Sequence, residues 1–196
     1  MHVADGNRCR MSQMIILCAL QEEIPTLHKE DHVFVTGLGK VNAALQATKL
    51  LLEHKPKLVV NFGTAGSVSN EFTHGLVECT GFVQRDMDCS ALGFAKHVTP
   101  FEEGGHLIGS SEIVCGTGDS FVTTPHLSGV HIVDMEAYAI AKVCLHFSVP
   151  FRCFKYISDS ADENAGEDWA TFEHEKAEAL FIEQLATIRN EMCYQG

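Results

Sequence analysis

Residues 133–162 read VDMEAYAIAKVCLHFSVPFRCFKYISDSAD and join a helical pattern to a strand-like pattern. Apolar residues recur at helical spacing over 134–147, which predicts a helix. The run 151–157 is short and apolar, as expected of a strand buried within a sheet. Glu136 opens the predicted helix, and Asp159 follows the predicted strand. The stretch therefore predicts a helix and a central strand, each with an acid at one end.

These two acids occupy unlike settings. Glu136 lies at a helix start, where unpaired N–H groups and the positive end of the helix dipole keep a carboxylate ionised. Asp159 lies at the carboxyl end of a strand, where open α/β sheets bind ligands. One acid can bind a ligand as an anion while the other transfers a proton. This division of roles indicates acid-assisted chemistry on a small polar substrate.

The rest of the chain alternates short apolar strands with helical patterns. Further strands are predicted over residues 14–20, 33–36, 57–62, 76–83 and 113–117. Further helices are predicted to begin at Gln21 and to cover 40–54 and 167–190. Residues 87–112 are Gly-rich and irregular. This alternation predicts an α/β fold with a mostly parallel sheet.

Length and charge limit the class of protein. The 196 residues suit one domain, and the 45% of hydrophobic residues supply a sizeable core. The net charge of −12 argues against nucleic acid and membrane as partners, because both repel an acidic surface. No apolar run reaches the roughly 20 residues of a membrane span. The polar start, residues 1–13, is interpreted as a leader before a single domain of residues 14–196.

Eight cysteines and eleven histidines are scattered along the chain. No C-x-x-C pair occurs and no histidine completes a common zinc pattern, so no metal site is predicted. Several cysteines lie inside apolar runs, which indicates reduced core thiols and a reducing, cytosolic compartment. Neither G-x-G-x-x-G nor a P-loop is present, so no nicotinamide, flavin or other cofactor is expected.

Four predicted strand ends carry small or acidic residues: Glu23, Gly63–Gly66, Gly118–Phe121 and Ser158–Asp159. If these ends meet at one edge of the sheet, they build a single pocket.

Each signal also has a structural explanation when taken alone. Gly63–Gly66 is equally a tight strand-to-helix turn, and Glu23 with the acid before it is equally a solvated helix start. Phe121 is either a core residue or a flat wall on which a ring stacks. Met135 can simply fill the core, and Lys155 can lie at the surface.

The order of the motifs is more specific than any one of them. Six segments follow one another over most of residues 14–162: ALQEEI, GLGKVNAALQATKLLLEH, VNFGTAG, GTGDSFV, VDMEAYAIAKVC and VPFRCFKYISDSAD. Together they resemble the purine nucleoside phosphorylase/nucleosidase superfamily, and within it the 5′-methylthioadenosine/S-adenosylhomocysteine nucleosidases most. The resemblance implies a homodimer and an α/β three-layer sandwich, in which helices flank a central twisted mixed sheet.

The resemblance also implies hydrolysis of the N-glycosidic bond of adenine nucleosides through a ribosyl cation. On the matching motifs, Asp159 is the general acid at adenine N7, and Ser158 orients it. Glu23 orients and deprotonates the attacking water, near which Thr64 lies. Glu136 accepts hydrogen bonds from the ribose hydroxyls, and its charge favours the positive charge that develops on the sugar.

Further substrate-binding residues are implied in the same way. Met135 packs on the ribose, Phe121 stacks on adenine, and the backbone of Val122 reads the base edge. Leu92 and Pro100 are the candidates for a 5′-substituent pocket that forms across the dimer interface.

Several features depart from the family pattern. The stretch between Glu23 and Gly37 is short, Asp134 stands where Glu is common, and Lys155 stands where Arg is usual. Lys keeps the positive charge of Arg but loses its two-pronged hydrogen bonding.

Hydrolysis and phosphorolysis are the two reactions that the resemblance leaves open. Asn61 stands where a bacterial phosphorylase carries Arg, and the adjacent carboxylates of Glu22 and Glu23 repel phosphate. Both observations favour hydrolysis. A phosphate-dependent nucleoside phosphorylase and a non-catalytic nucleoside-binding homologue are the alternatives.

Overall fold

The structure is a computed structural model that describes residues 13–69, 71–102, 107–122 and 127–194. The predicted leader lies outside the described residues except for Gln13, whose carbonyl accepts the Lys57 N–H at 2.7 Å. Cys9 also lies outside them.

Nine strands form one mixed sheet within the described residues. They are β1 (Met14–Cys18), β2 (Val33–Val35), β3 (Leu58–Ser67), β4 (Leu76–Cys79), β5 (Gly81–Gln84), β6 (Ile108–Gly109), β7 (Val114–Thr117), β8 (Ile132–Asp134) and β9 (Phe151–Asp159). The main order is β2-β1-β3-β8-β7-β5-β6, with β9 paired to both β3 and β4. The long strand β3 is central, since it pairs in parallel with β1 and β9 and, at its end, antiparallel with β8.

In the part of the chain that the structure describes, four α-helices flank the sheet: α1 (Lys40–His54), α2 (Ala137–His146), α3 (Ala165–Thr171) and α4 (His174–Tyr194). Short 3₁₀ helices cover Gln21–Glu23, Leu27–Lys29 and Ser90–Leu92.

The core lies on both faces of the sheet. On β1, Ile15 and Leu17 pack with α1 and α2 on one face. Ile16 and Cys18 pack on the other face with α4, which presents Phe181 to the sheet. Each fully buried aliphatic side chain stabilises a fold by about 1.5–3 kcal/mol. Helices therefore cover both faces of the sheet, which confirms the predicted three-layer sandwich. The carboxyl-terminal edge of the sheet remains free for polar residues.

Pairing between distant strands corrects two predicted boundaries. The predicted turn Gly63–Gly66 is strand, because β3 continues to Ser67 with a register shift between Ala65 and Gly66 where it pairs with β9. The predicted helix over 134–147 is preceded by β8, which pairs with β7 and β3.

Two other predicted elements are divided. The predicted strand 76–83 forms β4 and β5, which pair with different strands, β9 and β7. The predicted helix 167–190 breaks between α3 and α4 at Phe172, which has an extended backbone and packs its ring against Tyr156.

The segment after β1 is held by a carboxylate from the last helix. Glu178 of α4 is 3% exposed. It accepts hydrogen bonds from the Thr26 N–H, the Leu27 N–H and the Thr26 hydroxyl at 2.7–3.2 Å. We call these three residues the Glu178 clamp. It fixes the chain immediately after Glu23.

Within the described ranges, no helix is long and apolar enough to cross a membrane. The same part of the chain contains no cluster of three or more His, Cys, Asp or Glu side chains suited to a metal ion. Six cysteines in the described ranges are free thiols: Cys18, Cys79, Cys89, Cys115, Cys144 and Cys153.

Candidate active site

A cavity of about 440 Å³ opens at the carboxyl-terminal edge of the sheet. Its lining includes eight of the predicted site residues: Glu23, Thr64, Phe121, Val122, Met135, Glu136, Ser158 and Asp159. The other two, Leu92 and Pro100, do not line it, and the Leu92 side chain is 69% exposed. The four predicted strand ends therefore meet in one place.

Glu23 is the inward-facing member of its acidic pair, with 5% exposure, whereas Glu22 is exposed. Its Oε1 accepts the Thr64 N–H at 2.8 Å and the Thr64 hydroxyl at 2.7 Å. Its Oε2 accepts the Leu20 N–H and the Cys18 thiol, both at 3.2 Å. All four partners donate, which fixes this carboxylate in one orientation.

Two glycines of β3 leave room for the acids. A Cβ at Gly63 would lie 3.1 Å from Glu23 Oε1 and 3.3 Å from the Lys155 ammonium. A Cβ at Gly66 would lie only 2.5 Å from Asp159 Oδ1. Gly63 and Gly66 thus let Glu23, Lys155 and Asp159 approach the backbone of β3 closely.

Lys155 is fully buried, which corrects the alternative that it lies at the surface. It belongs to β9, whose two faces are both covered, and its Nζ lies 2.8 Å from Asp134 Oδ2. Burial opposes the ammonium charge, but the neighbouring groups, of which Asp134 contributes most, together outweigh burial and raise the pKa of Lys155 well above its usual value. Asp134 Oδ1 also accepts the Thr117 hydroxyl at 2.6 Å. A buried ion pair therefore lies beneath the cavity.

Glu136 differs from its predicted setting at the helix start. The N–H of Ala137, the first residue of α2, donates to Asp134 at 2.8 Å and not to Glu136. Glu136 Oε1 instead accepts the Gly39 N–H at 2.8 Å. Burial, and then the charge of Asp134, raise the pKa of Glu136 from 4.5 to about 7. The helix end therefore does not keep this carboxylate fully ionised at neutral pH.

Asp159 is held at the end of β9 by two donors. Its Oδ2 accepts the Ser158 hydroxyl at 2.8 Å, and its Oδ1 accepts the Ala161 N–H at 2.8 Å. Burial nevertheless raises the pKa of Asp159, and the charges of Asp168 and Asp162 add to this effect. A raised pKa keeps more of the carboxyl protonated at a given pH, as a general acid requires.

Apolar side chains form one wall of the cavity. Phe121 is 59% exposed and lines the opening together with Val122 and the half-buried Met135. Phe121 is therefore not a core residue. Arg85 holds the turn before Phe121, because its Nη2 donates to the carbonyls of Gly118 and Ser120.

Sequence reasoning missed Arg85 and Trp169 in the lining. Trp169 belongs to α3, which begins six residues after Asp159 and covers one side of the cavity. The signal that could have found it is the position of the chain's single tryptophan so soon after the acid of β9.

A family profile described as "Phosphorylase superfamily" matches residues 21–115 and 114–192. The chain belongs to the phosphorylase superfamily. Curated superfamily relatives include the 5′-methylthioadenosine/S-adenosylhomocysteine nucleosidases of Exiguobacterium sp. and Actinobacillus succinogenes. The first is 33% identical, with 71% of this chain and 72% of the relative covered, and the second is 34% identical, with 70% and 71% covered.

Solved structures of the superfamily share the fold. A Helicobacter pylori 5′-methylthioadenosine/S-adenosylhomocysteine nucleosidase, in complex with a pyrrolidine compound, has a TM-score of 0.80 at 26% identity, covering 91% of this chain and 97% of that one. The native futalosine hydrolase of the same organism has a TM-score of 0.79 at 26% identity, covering 92% and 99%. The resemblance to the nucleosidases of this superfamily is thus confirmed.

Proposed function

We propose that this protein hydrolyses the N-glycosidic bond of adenine nucleosides and releases free adenine and the ribose moiety. The substrate class is 5′-methylthioadenosine, S-adenosylhomocysteine or a related 5′-modified nucleoside. The observation that carries the proposal is that Glu23, Glu136 and Asp159 line one cavity. The names of the curated relatives support the substrate class, and the futalosine hydrolase among the similar structures supports a 5′-modified nucleoside more broadly.

Asp159 is the proton donor in this proposal. Adenine is a poor leaving group until a ring nitrogen is protonated, so the reaction needs an acid beside the base. The raised pKa of Asp159 supports this role, since burial favours the protonated carboxyl. The Ser158 hydroxyl, 2.8 Å away, fixes the orientation of the carboxyl.

Glu136 is the anion beneath the sugar. Its pKa of about 7 means that about half of the molecules carry the charge at neutral pH when the cavity is empty. Ribose hydroxyls that donate to Glu136, and the positive charge that develops on the sugar, both favour the ionised form. The carboxylate therefore stabilises the transition state more than it stabilises the bound substrate.

Glu23 is the residue that orients and deprotonates the attacking water. Its two bonds to Thr64 hold Oε1 in place at 2.7–2.8 Å. The weakest donor is the Cys18 thiol on Oε2, and this bond is the one most readily exchanged for a water molecule.

The charges around the cavity favour water over phosphate as the nucleophile. Glu23, Asp134, Glu136 and Asp159 all line it, and Arg85 is the one cation among the described lining residues. The guanidinium of Arg85 is already engaged with backbone carbonyls.

Asn61 offers phosphate no cationic ligand either. It is 1% exposed, and its amide donates to the Leu17 carbonyl at 2.9 Å within the core. A phosphorylase would need positive ligands for the phosphate that these positions do not supply.

A homodimer is part of the proposal. Val41, Leu45 and Leu52 lie along α1 and are 78%, 68% and 59% exposed. Their apolar stripe, defined here as the α1 stripe, suits burial against a second copy of the chain. In such a dimer the exposed Leu92, with Pro100, would contribute to the 5′ end of the partner's cavity.

We further place the enzyme in the cytoplasm, in methionine salvage. Five buried free thiols in the described part of the chain support a reducing compartment: Cys18, Cys79, Cys115, Cys144 and Cys153. The proposed nucleosides imply the pathway.

The proposal is tested by product analysis on the purified full chain. A panel of adenine nucleosides with different 5′ groups is incubated with and without phosphate. We expect free adenine and free ribose products in both conditions. Strict phosphate dependence with a ribose-1-phosphate product would establish phosphorolysis, and binding without any product would establish the non-catalytic alternative.

A further inference from the structure

Trp169 is the single tryptophan of the chain and forms a hydrogen bond within the cavity lining. Its indole Nε1–H donates to the Thr64 hydroxyl oxygen at 2.8 Å. The same hydroxyl donates to Glu23 Oε1 at 2.7 Å. A short chain of hydrogen bonds therefore links α3 to the acid proposed to handle water.

The available donors fix the direction of the two hydrogen bonds between Trp169, Thr64 and Glu23. An indole N–H can only donate, whereas a hydroxyl carries one proton and can both donate and accept. Because Thr64 accepts from Trp169, its own proton is free to point at Glu23. The Thr64 N–H donates to the same carboxylate oxygen at 2.8 Å. Thr64 therefore donates both of the hydrogen bonds that hold Oε1.

Packing alone does not explain this arrangement. The indole ring is half-buried, and its centroid lies 5.1 Å from that of the His174 ring in a T-shaped arrangement, a contact that a phenyl ring could also make. The N–H bond is what a phenyl ring would lack, and its partner is a cavity residue on β3.

We propose that Trp169 is a positioning residue for the reaction: its N–H orients the Thr64 hydroxyl, and thereby Glu23 and the attacking water. The indole takes no part in proton transfer. Since α3 covers one side of the cavity, the same bond ties the placement of this helix to the orientation of Glu23. The inference rests on the proposed hydrolase function and adds Trp169 to the residues that position the attacking water.

Trp169→Phe is the direct test, because it keeps an aromatic ring and removes the N–H. Loss of one hydrogen bond has a modest net effect, so we expect kcat for adenine release to fall roughly 2- to 13-fold. KM should change less than kcat, since the ring surface remains. An unchanged kcat would overturn the inference.

A double-mutant cycle separates positioning from packing. If Trp169 acts through Thr64, Trp169→Phe has no further effect on kcat in the Thr64→Val background. If the two residues act independently, their effects multiply, and the inference is wrong. Thr64→Ser keeps the hydroxyl and should restore most of the wild-type kcat. Thr171→Val, a matched change at an exposed site on the same helix, should leave kcat unchanged.

Tryptophan fluorescence gives a readout that does not depend on turnover. Because the chain has one tryptophan, all indole emission reports on Trp169. Thr64→Val should shift the emission maximum, while Thr64→Ser and Thr171→Val should not. Wild-type protein that releases no adenine would overturn the proposed function instead, whereas an active wild type with identical emission in Thr64→Val would overturn only the Trp169 inference.

Discussion

Glu136 illustrates how neighbouring residues change the chemistry of a side chain. Its position before a helix suggested a carboxylate kept ionised by the helix end. In the folded chain Asp134 takes the Ala137 N–H, and burial raises the pKa of Glu136 to about 7. The identity of the acid was predictable from the motif. Its ionisation was not, because that depends on Asp134, Lys155 and the surrounding burial.

A bell-shaped pH dependence of kcat/KM follows from the two perturbed acids. The proposed reaction needs Asp159 protonated and Glu136 ionised. Above about pH 7 Glu136 is already charged, so further loss of the Asp159 proton lowers the rate. At pH values below the pKa of Asp159, protonation of Glu136 lowers the rate. We expect an optimum below neutrality, measured by adenine release from pH 4 to 9, whereas a rate that rises steadily into alkaline pH would contradict these roles.

Glu136→Gln should lose activity and gain stability at alkaline pH. A carboxyl whose folded-state pKa is raised stabilises the fold below its unfolded value of 4.5 and loses that contribution as the pH rises through about 7. The amide carries no charge and still accepts the Gly39 N–H. At pH 8 we expect the free energy of unfolding in urea to increase by on the order of 1–3 kcal/mol. At pH 4.5 the two proteins should be nearly equal, and the same gain at both pH values would argue against a buried charge.

At the scale of elements, local sequence predicted what local interactions determine. The helix expected over 40–54 is α1 as observed, because its apolar spacing lies between Gly39 and Pro56. β3 ran past its expected end, and β8 was missed, since both depend on strands far away in sequence. The local sequence of residues 63–67 and 132–134 does not predict that pairing.

The Glu178 clamp is the clearest stabilising contact between elements near the site. Glu178→Ala would leave two N–H groups without their partner, that of Leu27 in a buried place and that of Thr26 in a partly buried one. We expect the free energy of unfolding to fall by about 2–4 kcal/mol, measured by urea denaturation. Glu175→Ala, an exposed change in the same helix, should have little effect. Equal losses for the two variants would mean that the clamp contributes nothing specific.

For the whole molecule, the apolar α1 stripe leads to a prediction about assembly. Leu45→Glu places a charge in the stripe, where the wild-type side chain is 68% exposed, so the isolated fold should tolerate it. We expect the wild type to be a dimer and this variant a monomer by light scattering. Ile182→Glu, on α4 across the sheet, is the control and should remain dimeric. A monomeric wild type would contradict the proposed dimer.

The fold class and most of the cavity were predictable because strand ends in α/β sheets gather at one edge. Glu23, Thr64 and Asp159 follow from that rule together with the motif order. Trp169 could not be found in this way, since its place depends on the break at Phe172 that separates α3 from α4. Lys155 was equally hidden, because its burial depends on a partner, Asp134, contributed by another strand.

One comparison tests most directly whether Asp159 donates a proton to the leaving base. Initial rates of adenine release are measured in phosphate-free buffer for the wild type and for Asp159→Asn, with circular dichroism to verify that both are folded. The amide keeps the shape of the carboxyl but cannot serve as the acid, so we predict a rate that is roughly 10²- to 10⁴-fold lower. A folded variant that releases adenine as fast as the wild type would contradict the account.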